Sequence, residues 1–226
     1  MPRTVLYIVD GLGLSGKTRT MVYLASHLDP NRFRGEVCTL STEKSVLTEQ
    51  LASRHVPVHT IASKDGLDLG AIVRIGKLIR STRADVVHCY NPRPILYGGL
   101  AGRLLGVDAR IGSLSAFACQ VPDRAYGFLP QPLTTASRRN VIRNRVSAHL
   151  MCHLATVSAS LGKRFCEYNS LPMDKLRVVP YGADLSAVVA QHGRFGLINV
   201  YQWLLFVAGH ELRHADQVRE TGAALV

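Results

Sequence analysis

The sequence predicts an α/β fold: an open, parallel-sheet Rossmann-like domain with helices on both faces and an appended C-terminal helix. Three observations carry this. Short apolar runs alternate with stretches of helical period about six times before residue 180, the pattern that joins parallel strands through helical crossovers. The first unit, Thr4 to Leu28, reads as strand, glycine loop and helix, the opening of a doubly wound sheet. Residues 200–220 then show one amphipathic helical period, with no strand after it.

Taken in order, Thr4-Val-Leu-Tyr-Ile-Val-Asp10 is an apolar run of strand length, and Gly11-Leu-Gly-Leu-Ser-Gly16 turns into a helix from about Lys17 to Leu28. Amides at such a helix N-terminus favour an anionic group, usually phosphate. Asp29-Pro30-Asn31 leads into a second strand, about Arg34 to Leu40. Ser41-Thr42-Glu43 reads as the cap and acidic first turn of a helix ending near Arg54. Val56 to Ile61 is a third strand, whose Pro57 suits an edge position. Asp68 caps a helix with Leu69, Ile72, Val73, Ile75 and Ile79 at helical spacing. Asp85 to His88 is the fourth strand, Arg93 to Leu105 a helix, and Asp108 to Ser113 the fifth strand. Residues 115–136 have no period and contain Pro122, Pro130 and Pro132, a loop long enough to be functional or mobile. A basic helix follows from Ser137, then a strand near Leu154 to Val157, a helix from the Ser158 cap to Asn169, and a short strand from Leu176 to Pro180.

An apolar content of 47% supports a core, and 19% charged residues argue against disorder. Five scattered cysteines without CxxC spacing suit a reducing compartment. Neither a signal peptide nor an apolar run of membrane-spanning length is visible, so the expected location is the cytoplasm, with the inner membrane face as a peripheral site. The net charge is +11. Residues 190–226 balance Arg194, Arg213 and Arg219 against Glu211, Asp216 and Glu220, so the whole excess lies in residues 1–189. Such a field attracts anionic lipid or phosphorylated substrates. Nucleic acid is not expected, because no recognition motif or aromatic–basic interleaving occurs. Arg138, Arg139, Arg143 and Arg145 of the basic helix are the expected contacts to an anionic membrane.

Gly11 to Thr18 also spells G-x-x-x-x-G-K-[ST], the P-loop pattern. A P-loop nucleoside triphosphatase further needs a carboxylate at the far end of another buried strand. The best such strand, Asp85-Val-Val-His88, has its aspartate at the wrong end, so this remains the minor alternative, beside a tight turn with no ligand.

The residues from 4 to 185 resemble the N-terminal domain of family 4 glycosyltransferases, which have the two-domain GT-B architecture. That family's Gly-Gly-Ala-Glu-Arg loop is matched by Ser15-Gly16-Lys17-Thr18-Arg19, and its Asp-Val-Val-His-x-His strand end by Asp85-Val-Val-His88-Cys89-Tyr90. Its Val-Ser cap is matched by Val157-Ser158, and its Val-Ile-Pro-Asn-Gly-Val-Asp by Val178-Val179-Pro180-Tyr181-Gly182-Ala183-Asp184. The resemblance implies transfer of a sugar from a nucleotide-sugar donor to a lipid or saccharide acceptor, in a cleft between two domains. It makes Gly13, Ser15, Gly16 and Lys17 the candidate donor-phosphate loop, with Gly16 allowing close backbone approach. His88, Tyr90, Asn91 and Arg93 become candidate substrate-binding residues at the carboxyl end of a parallel strand. The competing reading of His88 and Tyr90 is a satisfied, half-buried strand end.

Three departures qualify the resemblance. Tyr90 stands where the strand motif has a second histidine, and Gly112-Ser-Leu-Ser-Ala116 lacks the histidine often found after the fifth strand. The resemblance also stops after Asp184, so the donor-binding domain is not among these residues. The chain is therefore expected to be half of an enzyme, inactive alone, whose missing half comes from a separate donor-domain subunit or a homodimer.

The expected division is 1–189 for the Rossmann-like acceptor-side domain and 190–226 for the tail. Phe195 to Gln217 resembles the last helix of DinB-like metal-binding bundles, which implies a weak divalent-metal or interaction site at His210 and His214. His210-Glu211-Leu-Arg-His214 also spells H-E-x-x-H, but two histidines without a third ligand make a weak zinc site. His149, Cys152 and His153 share metal-like spacing at an expected strand start. The tail is expected to form one helix over residues 197–220.

Overall fold

The computed structural model describes residues 1–64, 66–114, 135–179, 189–192 and 196–199. The chain divides into two units, Met1–Pro180 and Tyr181–Val226. In the first unit the strands are β1 (Arg3–Val9), β2 (Phe33–Thr39), β3 (Val58–Thr60), β4 (Val86–Tyr90), β5 (Ala109–Leu114), β6 (His153–Thr156) and β7 (Leu176–Val178). They form one seven-stranded sheet in the order β3-β2-β1-β4-β5-β6-β7, with every neighbouring pair parallel. Its helices are α1 (Gly16–Ser26), α2 (Val46–Ser53), α3 (Leu69–Thr82), α4 (Pro92–Leu104), α5 (Thr135–Leu150) and α6 (Ala159–Asn169). This is the open parallel Rossmann-like sheet that the strand–helix alternation predicts.

Strand β1 shows why the pattern works. Its last six residues are all buried, and the five apolar ones, Val5 to Val9, alternate between two clusters. Val5, Tyr7 and Val9 pack with Met21, Val22 and Ala25 of α1 and Leu47 and Leu51 of α2. Leu6 and Ile8 face the other way, toward Ile72, Ile75 and Ile79 of α3 and Ile95, Tyr97 and Ala101 of α4. A strand covered on both faces must be apolar throughout, and each fully buried aliphatic side chain contributes about 1.5–3 kcal/mol. The expected edge strand is indeed at the edge, as β3.

Three expectations are corrected. Helix α2 begins at Val46, capped by Ser45 rather than Ser41. Ser45 Oγ accepts from the Leu47 amide at 3.2 Å, and Thr48 Oγ1 accepts from the Ser45 amide at 3.3 Å, a reciprocal capping box. Ser41 has Lys44 three residues on, which offers no acceptor, and its hydroxyl instead accepts from the Glu43 amide at 3.1 Å. In α3, Ile72, Ile75 and Ile79 are buried as expected, whereas Leu69 and Val73 are exposed.

The third correction is in the second unit. There β8 (Val189–His192) pairs antiparallel with β9 (Gly196–Asn199). The expected division at 189/190 therefore falls inside β8, and the start of the expected 197–220 helix is strand. Gly196 is a poor helix starter, and Ile198 is β-branched. The remainder of that helix, with His210 and His214, lies outside the described residues, as do loop residues 115–134 and Tyr181 to Asp184. Among the described residues no helix is long and apolar enough to cross a membrane.

Candidate functional site

Strands β1 and β4 are neighbours, yet their connections leave in opposite directions across the sheet. Open α/β sheets have their ligand crevice at the carboxyl ends of such a pair. The glycine loop after β1 and the Asn91–Arg93 segment after β4 meet there. The α2 cap joins them, since Ser45 Oγ donates to the Leu12 carbonyl at 2.6 Å.

Ser15 is the N-cap of α1. Its Oγ accepts from the Thr18 amide at 3.3 Å and shares a 2.8 Å hydrogen bond with Thr18 Oγ1. The earlier first-turn amides, of Gly16 and Lys17, precede the helix's own ladder and point out of its end. A Cβ added at Gly13 or Gly16 would meet nothing within 4 Å. Packing therefore requires neither glycine; both leave bare backbone at an open helix N-terminus. Gly98 of α4 is the opposite case, since its Cβ would lie 2.5 Å from Cys89 Sγ and 2.8 Å from Ile8 Cδ1. Lys17 is half-buried in the first turn.

Arg93 joins the two strand ends. Its Nε donates to Asp10 Oδ1 at 2.8 Å, and a terminal nitrogen reaches the Lys64 carbonyl at 3.5 Å. Sequence reasoning missed Asp10; its signal is a carboxylate directly after an apolar strand that leads into a glycine loop. Asn91 caps α4 with φ 77° and ψ 156° and makes no side-chain cap bond. The following Pro92 excludes the helical region for Asn91, but a positive φ with extended ψ is nearly glycine-only backbone and costs about 1–3 kcal/mol. The buried Asn91 Oδ1 has no hydrogen-bond partner among the described residues. A strained residue with an unmatched acceptor beside the strand ends marks a candidate ligand position.

His88 and Tyr90 lie deeper. His88 Nε2 is 2.8 Å from Ser113 Oγ on β5, and its ring centroid lies 5.4 Å from Tyr7 and 4.6 Å from Tyr90. Burial pushes the His88 pKa down to about 4 and the Tyr7 pKa up to about 12, so both rings are neutral at physiological pH. The structure thus brings Gly13, Ser15, Gly16, Lys17, Asn91 and Arg93 to the crevice, and sets His88 and Tyr90 in the aromatic cluster beneath.

Among the described residues the P-loop alternative finds no set of metal ligands. The Thr18 hydroxyl is engaged by Ser15, β4 ends in Tyr90 and is followed by Asn91, and Asp85 accepts from the Thr4 amide at 2.7 Å at the opposite ends of the strands. Among the described residues no group of three or more histidine, cysteine or acidic side chains could hold a metal. The Cys152 thiol, expected beside His149 and His153, donates to the Asp108 carbonyl at 2.8 Å. On α5, Arg145 Nε donates to the Asn169 carbonyl at 2.6 Å and so closes the end of α6, while Arg143 is exposed. Arg138 and Arg139 also fall within α5.

Comparison with known proteins agrees with this architecture. The fold is similar to that of HepE from Anabaena, solved with UDP (TM-score 0.57, 12% identity, covering 80% of this chain and 45% of that one). It is similar to a glycosyltransferase from Rickettsia africae (TM-score 0.57, 15% identity, 81% and 44% covered). It is also similar to MurG from Acinetobacter baumannii (TM-score 0.51, 15% identity, 82% and 47% covered). The chain thus spans somewhat under half the length of these structures. No curated protein sequence matches it. A family profile described as Glycosyltransferase Family 4 matches residues 14–187. With that match spanning most of the chain, from just before α1 to beyond β7, the chain belongs to Glycosyltransferase Family 4.

Proposed function

We propose that residues 1–180 form the acceptor-side half of a cleft in which a sugar passes from a nucleotide-sugar donor to a lipid or saccharide acceptor. The observation that carries this is the open N-terminus of α1, where bare backbone at Gly13 and Gly16 exposes unpaired amides. A diphosphate suits those amides and the helix dipole behind them, and Lys17 adds positive charge in the same turn. Across the crevice, the unmatched Asn91 Oδ1 accepts from a sugar or acceptor hydroxyl. Arg93, fixed by Asp10, supplies a cation whose position is set in advance. His88 shapes the floor as a neutral ring, uncharged at physiological pH. The UDP found with HepE supports a nucleoside diphosphate as the first ligand to try.

The test is calorimetric titration of the full chain with UDP without metal, and separately with ATP and magnesium. UDP should bind, and Gly16→Val should weaken it tenfold or more while leaving Tm unchanged, because nothing lies near that Cβ. Equal binding of UDP to the Gly16→Val variant would remove the phosphate from this loop. Binding of ATP with magnesium but not of UDP would favour the P-loop reading instead.

A further inference from the structure

The segment between β2 and α2 holds the glycine loop by a bond that the α2 cap does not itself require. Ser45 Oγ donates to the Leu12 carbonyl at 2.6 Å, across 33 residues of sequence. The same oxygen accepts from the Leu47 amide at 3.2 Å as the cap of α2. Capping uses only the lone pairs of a side-chain oxygen, so an aspartate would serve α2 as well. A hydroxyl is needed for one atom to accept and donate at once. Leu12 itself is 2% exposed and clusters with Leu47 and Leu51 of α2, and a Cβ added at Gly11 would lie 3.4 Å from Ser41 Cβ. The first half of the loop is thus seated on this segment, while Gly13 and Gly16 face open space.

The Ser45 bond falls on the last peptide unit before the bare half. The Leu12 carbonyl and the Gly13 amide share one planar trans unit and point in opposite directions. Holding the carbonyl toward Ser45 therefore aims the Gly13 N–H away from α2. Without that hold the unit is free to turn over, because a half-turn changes only ψ at Leu12 and φ at Gly13. Glycine accepts a positive φ at no steric cost, yet Gly13 does not have one in the structure. A turned unit would replace an N–H by a carbonyl oxygen on that side of the loop, and a carbonyl repels the anion that the neighbouring helix end attracts.

We propose that Ser45 is a positioning residue for the phosphate loop: its hydroxyl selects the orientation of the Leu12–Gly13 peptide in which the loop offers a donor to an anion. Ser45 touches no ligand in this role and acts through Leu12. The nucleoside diphosphate used as probe rests on the sugar-transfer reading, whereas the hold on the loop rests on the Leu12 bond alone.

The test compares Ser45→Ala with Thr48→Val in the full chain. Thr48→Val removes the other half of the capping box, the bond from the Ser45 amide, and leaves the Leu12 bond in place. One readout is calorimetric titration with UDP. The other is hydrogen exchange at the Ser15 amide, which donates to the Gly13 carbonyl at 2.9 Å inside the loop. Both variants should lower Tm, since each weakens the cap. Ser45→Ala alone should weaken UDP binding, by roughly threefold to fivefold, as the competent orientation loses what one hydrogen bond is worth. It alone should also speed Ser15 exchange beyond the global loss of stability. Ser45→Thr, which keeps the hydroxyl, should match the wild type in both. Equal losses of UDP binding in Ser45→Ala and Thr48→Val would reduce Ser45 to an ordinary cap and overturn the proposal, as would unchanged binding in Ser45→Ala. If the wild type binds no UDP, the sugar-transfer reading falls and Ser15 exchange decides. Acceleration confined to Ser45→Ala would then uphold the hold on the loop, and its absence would overturn it.

Discussion

His88 shows what one residue contributes and why its role was only half visible in the sequence. Its position at the carboxyl end of a strand is legible from Asp85-Val-Val-His88. Its partner, Ser113, lies 25 residues away on β5, so only the sheet order reveals that Nε2 is already engaged. The Arg93–Asp10 bond, between residues 83 apart, was hidden for the same reason. Burial holds the His88 pKa near 4, below the ordinary value of about 6.5. On acidification the unfolded chain therefore takes up this proton first, and folding loses stability as pH falls from about 6.5 toward 4. His88→Gln, which keeps a hydrogen-bonding group beside Ser113, should remove up to ~1.4 kcal/mol per pH unit from that slope. Urea unfolding at pH 7 and pH 5 measures it; an unchanged slope in the variant would mean that the ring is not held neutral.

At the scale of elements, local signals were read well and reciprocal ones poorly. Asp68 and Ser158 cap α3 and α6 as expected, accepting from the Ala71 and Leu161 amides. The start of α2 was misplaced because Ser41 and Ser45 are both capping types, and only the returned bond from Thr48 separates them. The β8–β9 pair was missed because two four-residue strands carry little period beside the longer amphipathic pattern that follows. The link between β3 and α3 depends on a residue that the sequence shows only as one aromatic in a helix. Tyr97 is 1% exposed; its hydroxyl donates to the Gly66 carbonyl and accepts from the Asp68 amide, both at 2.8 Å. Tyr97→Phe removes both bonds from a partly exposed segment, at a cost of about 0.5–1.5 kcal/mol for each. Hydrogen exchange at the Asp68 amide should accelerate in this variant, while protection in β1 falls only by the global loss of stability. Uniform acceleration at all sites would show that the tyrosine does not anchor this segment specifically.

Across the whole molecule, the alternation of apolar runs and helical periods was enough to give a parallel sheet and its edge strand, because both follow from burial. The crevice was legible as a place, from the strand ends, but not as a set of partners, since Asp10, Asn91 and Ser113 acquire their roles from neighbours distant in sequence. The placing of β1 between β2 and β4 also has a consequence for synthesis. One neighbour of β1 is made within about thirty residues, but Val5 pairs with Val86, so the other arrives only roughly eighty residues after β1. At 5–20 residues per second, the ribosome needs roughly 4–16 s to cover that distance. During this time the five apolar residues of β1, Val5 to Val9, have an open edge and an uncovered face, the condition in which nascent chains meet chaperones or one another. Refolding from denaturant should therefore lose yield as protein concentration rises and regain it with a holdase present, as light scattering and recovered soluble protein would show. A concentration-independent yield would mean that β1 closes its second edge faster than two chains can meet.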